Sequence, residues 1–543
     1  MIFASYSFLF IFLPIALVGY YVASKVRATF AVAWLTICSL AFYARWNPKF
    51  VILLVASIVF NFVIGRALLA PKREDDVKSR NRWLFIGLTG NLLPLIFYKY
   101  LGPMFSFAHS ISLLSPRFDL RVILPLGISF WTFTQIGYLV DCHDGEGREL
   151  GIIPYSAFVT FFPHLIAGPI VHIREIGPQL LDPATCRLRV SNLSIGTSFF
   201  IIGLSKKVLL ADPLADVVGI GFAHPGSFPM FVSWLYALAY SLQLYFDFSG
   251  YSDMAIGLAY MFGIRFPINF DSPYKATNII EYWQRWNMTL TRYLTLLLYN
   301  PIALRVSRWR MRRGLGVSRR DNRTPGAFAS MIVLPVFFTF ILVGIWHGAG
   351  FTFLALGLMH AVYITINHAW RMFGPQPAKE KRGWLRTASV TAFQVLLTYL
   401  AVLAGQVMFR SSSFGAAVQM MGGMIGLHGV DAFPVPNFVI SALGFLGPIQ
   451  TFLTKTHHFL VASTADSVPG PASLALRFLI VWAFPNSQTI MAKFQPTLAT
   501  IRTSASKWLT WGPTLRWALM LGALLAFDLM SLQRTKVFLY FQF

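Results

Sequence analysis

Charge is scarce in this sequence, and acid is scarcer than base. Of 543 residues, 21 are Asp or Glu and 45 are Lys or Arg, so only 12% are charged. Soluble domains carry about 25%. With a mean hydropathy of +0.60, an ordinary cytosolic enzyme is excluded. Disorder is excluded as well, because 56% of the chain is hydrophobic. Cysteine is nearly absent. Cys38, Cys142 and Cys186 are scattered, with no metal-ligand spacing and no disulfide framework. No Walker motif or dinucleotide fingerprint occurs, and no GxSxG elbow or zinc signature. Neither primary active transport nor a hydrolase fold is indicated, and no metal site is expected.

What the sequence has is long apolar runs. They read as helices, because lipid offers backbone groups no other partners. The expected fold class is an all-α polytopic membrane protein. Runs fall at about 3–24, 28–43, 50–70, 83–101, 121–140, 152–171, 190–210, 214–240 and 241–263, then 327–345, 348–369 and 388–409. Further runs lie near 436–453, 474–491 and 514–533. The formal charge of +24 is read as basic residues held in cytoplasmic loops rather than as a nucleic-acid surface. Lys25 and Arg27 after the first run place the N-terminus outside, and no basic n-region marks that run as a signal peptide. The basic loops 71–82, 305–323 and 371–386 are assigned to the cytoplasm. Parity then puts the C-terminus outside, if one run between 410 and 455 is re-entrant. The whole of 1–543 reads as one membrane domain. Its core covers about 1–427, C-terminal helices lie near 430–533, and a tail spans 538–543.

The segment 264–302 is too polar for a simple span. Arg265, Asn269, Asp271, Lys275, Asn278, Glu281, Arg285, Asn287 and Arg292 recur among aromatics. Such a stretch is tolerated at membrane depth only inside protein or beside a water-filled cavity, so it is expected to be re-entrant.

Four features could carry chemistry. His347, in Gly344-Ile345-Trp346-His347-Gly348-Ala349-Gly350, joins two apolar runs. It is either a general base or a structural hydrogen bond between helices. His360 and His368 read as packed. Asn287, in Tyr282-Trp283-Gln284-Arg285-Trp286-Asn287, could position a carbonyl or stabilise an oxyanion, or it could bridge helices. Gln243, Tyr245, Asp247, Ser249 and Asp253 put two carboxylates and several hydroxyls into an apolar stretch. Each acid costs about 2.5–3.5 kcal/mol there. The expected partners are Arg285 and Lys275, and proton translocation is a competing use. Tyr540, in Phe538-Leu539-Tyr540-Phe541-Gln542-Phe543, is an interfacial anchor or a phenol that accepts an acyl group.

Together these residues resemble the membrane-bound O-acyltransferase (MBOAT) family, and most closely its bacterial branch. That branch comprises alginate, peptidoglycan and cellulose O-acetylases and teichoic-acid D-alanyl transferases. The similarity is carried by Phe3 to Pro14, Tyr43 to Lys49, Leu124 to Phe130 with Tyr138 to Asp141, and Ala167 to Ile170. It continues through Tyr245 to Met254, Trp346-His347-Gly348, Val407 to Arg410 and Pro485 to Ser487. Asn287 departs from the branch, which usually has histidine there, as does Thr295 to Pro301. The length and the Tyr540 ending look most like the alginate O-acetylase type.

The resemblance implies a ring of roughly 11–13 transmembrane or re-entrant helices around a central funnel reached from the cytoplasm. It implies His347 as the catalytic histidine, Asn287 as the second polar position and Tyr540 as acyl carrier. Trp346, Gln243, Tyr245, Asp247, Ser249, Trp283, Arg285 and Trp286 are the expected lining. The implied donor is a cytosolic thioester, acetyl-CoA first, and no cofactor is bound permanently. The implied partners are membrane lipid, an extracytoplasmic SGNH-type transferase and a polysaccharide acceptor in the envelope of a bacterial inner membrane. Two alternatives stand beside this. One is direct transfer to a lipid or lipid-linked acceptor, and the other is a proton-coupled transporter or flippase of envelope precursors. A scaffold with a purely structural polar core is the remaining reading.

Overall fold

A computed structural model describes residues 2–70, 77–110, 122–318, 323–375, 383–430, 470–501 and 507–539. Among the described residues there is no β-strand, and seven helices are long and apolar enough to cross a membrane. They are Phe8–Val26, Lys49–Leu69, Val77–Ser106, Val190–Ala223, Pro325–His347, Phe351–Phe373 and Trp384–Arg410. Shorter apolar helices, Ala28–Ala44 and Pro471–Ala483, join them. The chain is an all-α polytopic membrane protein.

At the centre stands the helix Met230–Met261. Every residue from Ala239 to Met261 is buried, so this helix is enclosed by protein on all sides. It packs along Val190–Ser205 through small residues. A Cβ on Gly203 would lie 2.7 Å from the Gly250 carbonyl oxygen, and one on Gly257 would lie 2.6 Å from that of Gly196. Only glycine lets the two backbones approach so closely.

Three sequence expectations change here. The runs 214–240 and 241–263 do not divide at residue 240: the first is broken at residues 224–229, and its second half continues into the next run as the single helix Met230–Met261. The run 152–171 does not cross as one helix. It forms Ile152–Thr160 and Phe162–Leu165, broken at Phe161, and residues 157–173 are buried. The run 121–140 yields the 16-residue helix Ile128–His143, largely enclosed by its neighbours. The run near 436–453 lies outside the described residues.

The polar segment after the central helix is a compact reversal. Two short helices, Ile279–Arg285 and Met288–Leu294, are separated by Trp286 and Asn287. Asn287 sits at φ 43°, in the left-handed region, which asparagine tolerates better than most residues. Asn269 ties the reversal together. Its Oδ1 accepts from the Thr289 hydroxyl at 2.6 Å, and its carbonyl accepts the Met288 N–H at 3.0 Å. Leu334–His347 and Phe351–Phe373 then form a helical hairpin that turns at Gly348 to Gly350.

Candidate active site

His347 is the last residue of its helix, at the tip of that hairpin. Its ring lies edge-on to Trp346 at 4.7 Å and to Phe409 at 5.2 Å between centroids. A side chain at Gly348 would run into the Phe353 ring, so position 348 beside the imidazole has no room for one while that ring keeps its place.

Three cavities succeed one another along the hairpin. The first, about 370 Å³, is lined by Ile2, Trp46, Lys99, residues 124–130, Ile166, Trp346, His347 and Val537. The second, about 50 Å³, shares His347 and adds Tyr282, Trp283, Trp286, His360, Gln406 and Phe409. The third, about 330 Å³, shares Trp283 and runs past Tyr299, Val336 and Ile364 to His368. His347 thus stands between a wide chamber and a narrow waist. Trp283 stands between that waist and a second chamber.

Of the residues singled out in the sequence, the structure brings His347, Trp346, Trp283 and Trp286 to these cavities. Trp346 is stacked on Phe133 at 5.3 Å. The Lys99 ammonium lies 5.5 Å from the Trp346 ring centroid and donates to the Trp346 carbonyl. Asn287 is buried one residue from Trp286, but it does not line the waist, and its side chain does not cap the helix it begins. Gln243, Tyr245, Asp247 and Ser249 are buried in the central helix and line none of the three cavities. Tyr245 borders a separate chamber of about 330 Å³ with Lys206 and Ser487. Arg285 donates to Glu281 Oε1 at 2.8 Å and to the Asp271 carbonyl at 3.1 Å.

The pairing expected for the two buried acids is corrected. Arg285 and Lys275 do not reach them, because both are spent within the reversal and on the Phe484 carbonyl. Asp247 instead meets Lys207 at 2.8 Å, and Asp253 meets Lys206 at 2.6 Å. Both lysines lie near the end of the neighbouring helix.

The C-terminal tail enters this interior. Phe538 stacks on Tyr251 with centroids 4.6 Å apart, and the Leu539 N–H donates to Asp247 Oδ2 at 2.8 Å. Val537 lines the wide chamber with His347. Tyr540 lies outside the described residues.

Sequence reasoning read His360 as packed without placing it in the waist beside His347, and it passed over Lys99, which shares the chamber. Lys99 had a signal, since it is the one Lys or Arg in the apolar run 83–101. His360 had none, because its spacing from His347 acquires meaning only once the hairpin folds back.

The family model for the membrane-bound O-acyltransferases matches residues 140–313. A peptidoglycan O-acetyltransferase of Helicobacter pylori is 36% identical over 78% of this chain and 80% of its own length. A probable alginate O-acetylase of Pseudomonas aeruginosa is 32% identical over the whole of both chains. The chain belongs to the MBOAT family. A teichoic acid D-alanyltransferase of Bacillus subtilis is a more distant relative, 26% identical over 53% of this chain and 69% of its own. As an MBOAT protein the chain is an acyltransferase. Among the described residues no cluster of His, Cys, Asp or Glu could hold a metal. The first two cavities are bordered by the imidazoles of His347 and His360, the Lys99 ammonium and the indoles of Trp46, Trp283, Trp286 and Trp346 in a largely apolar setting. A buried neutral imidazole can take a proton from a hydroxyl that attacks a thioester.

Proposed function

We propose that this MBOAT protein moves an acyl group, most simply acetyl, from a cytosolic thioester donor across the membrane for O-acetylation of an envelope polysaccharide. The donor, acetyl-CoA in this reading, enters from the side of His368 and the basic loops. Its thioester carbonyl reaches the waist. His347 takes the proton from the attacking hydroxyl, the C–S bond breaks, and the thiolate leaves protonated as free thiol. The acceptor is the Tyr540 phenol, which yields an aryl ester. An extracytoplasmic SGNH-type transferase then passes the acyl group to the polysaccharide. Asn287, at φ 43°, turns the reversal that carries Trp283 and Trp286 to the waist.

One observation carries this reading. His347 belongs to two cavities at once, and the wider of them is also lined by Val537 of the C-terminal tail. A base between a donor-side waist and a tail-side chamber suits transfer across, rather than along, the membrane. The names of the relatives, which include a peptidoglycan O-acetyltransferase and a probable alginate O-acetylase, support the acceptor class. The lysine partners of Asp247 and Asp253 account for both acids without proton transport.

The test is mass spectrometry of the C-terminal peptide after incubating the purified protein with acetyl-CoA. An acetyl group on Tyr540 that is lost in both Tyr540→Phe and His347→Ala is the expected result. Thioester consumption by the wild type with no adduct would instead mean direct transfer to another acceptor. No consumption at all would overturn the acetyl-CoA reading.

A further inference from the structure

The tail is not held by apolar packing alone. Asp212 is buried, and its Oδ2 accepts the Lys536 N–H at 3.2 Å, while Asp247 Oδ2 accepts the Leu539 N–H at 2.8 Å. Lys207 lies between the two carboxylates, 2.6 Å from Asp212 Oδ1 and 2.8 Å from Asp247 Oδ1. All three side chains are at least nine-tenths buried. Two acids and one ammonium leave the cluster one negative charge in excess, and the donors that complete it are backbone N–H groups three residues apart in the tail. Residues 535–538 are not helical, so those N–H groups have no partner within their own segment. At this depth an unpaired N–H is costly, and so is a carboxylate without donors. Each side thus completes the other. The same segment carries the Lys536 side chain, whose ammonium pairs with Asp216 at 2.8 Å.

From this we propose that Lys207, Asp212 and Asp247 form a cradle that positions the C-terminal tail for acyl transfer. Lys207 pairs with both carboxylates and so holds them side by side. The carboxylates fix the tail by its main chain at residues 536 and 539. Val537 between them is thereby set into the His347 chamber, and Tyr540 follows Leu539 in the sequence. The three are positioning residues: Asp212 and Asp247 touch the carrier segment, Lys207 acts through them, and none touches the reacting atoms. Recognition through backbone N–H groups tolerates varied side chains at 536 and 539 but not a shift of register. The inference rests on the relay reading above.

The experiment uses the full-length protein in detergent or nanodisc. Asp247→Asn and Asp212→Asn are compared with wild type by amide hydrogen exchange of the C-terminal peptide, and by the initial rate of Tyr540 acetylation from acetyl-CoA. Loss of a charge-assisted hydrogen bond predicts exchange faster by about tenfold or more at the tail, with helices elsewhere unchanged. Tyr540 acetylation should fall at saturating acetyl-CoA, so that kcat drops while KM for the donor holds. Asp247→Glu, which keeps the charge, should recover part of the rate. Unchanged tail exchange in both Asn variants would overturn the cradle. Faster exchange with an undiminished acetylation rate would overturn its positioning role. Wild-type protein that never acetylates Tyr540 would overturn the relay itself, a failure read without either variant. Should Asp247→Asn fail to fold, Asp212→Asn and a one-residue deletion at Val537 ask the same question from the tail side.

Discussion

Trp283 donates a hydrogen bond from Nε1 to His360 Nδ1 at 3.3 Å, on the wall of the waist that holds His347. An accepting Nδ1 leaves the proton of the neutral ring on Nε2. That nitrogen lies against Gly405, where an added Cβ would sit 2.9 Å away. Gly405→Ala should therefore displace the His360 ring without adding charge or removing a partner. We expect turnover to fall about tenfold or more, as for loss of one oriented donor, with the thermal midpoint little changed. His360→Gln, which can present a donor near the Nε2 position, should retain more activity than His360→Ala. Equal turnover in all three variants and wild type would show that the pair is packing only.

Lys206 and Asp253 form a buried ion pair, and Asp253 also accepts from Ser487 at 2.6 Å and Gln488 at 3.0 Å. It fastens the segment around Pro485 to Met491 to the central helix. Removing one partner of a buried pair costs about 3–5 kcal/mol, because the other charge is stranded. Lys206→Met and Asp253→Leu should each lower stability strongly. The double variant should lose less than the sum of the two. A thermal-unfolding double-mutant cycle in detergent measures this coupling.

Helix contact at the centre depends on absent side chains. Gly203→Val and Gly257→Val each place carbon atoms within 2.7 Å of a backbone atom on the facing helix. Overpacking of this kind typically costs 1–3 kcal/mol, about that or more here since backbone cannot yield. We expect loss of monodisperse protein in size-exclusion chromatography. Gly219→Val, where nothing lies within 4 Å, should behave as wild type.

Lys99 offers a milder perturbation. Lys99→Met keeps the length of the side chain but removes the cation over Trp346 and the donor to its carbonyl. We expect about 1–3 kcal/mol of lost stability and a change in tryptophan emission. Lys99→Arg should restore part of both.

The residues that announced themselves in the sequence did so by breaking a pattern. His347 interrupts an apolar run between glycines, and 264–302 is polar where lipid would forbid it, so hairpin and reversal were both legible. Asp247 and Asp253 were visible as buried acids, but their partners were not. Lys206 and Lys207 are adjacent on another helix, and close apposition through Gly203 and Gly250 brings them near. Periodicity cannot report such a pairing. It also split the central helix in two, because a helix enclosed on every side has no polar face to mark its continuity. Asn287 was read for its amide, whereas its backbone at φ 43° supplies the reversal.

The waist between His347 and Trp283 has a consequence for the cell that owns it. About 50 Å³ admits a few water molecules or a two-carbon group, far less than a nucleotide-bearing donor. In the proposed relay, chemistry through such an aperture would hand over carbon without opening a conduit. A proton gradient would stay undischarged, and the bulky half of the donor would return to the pool it came from.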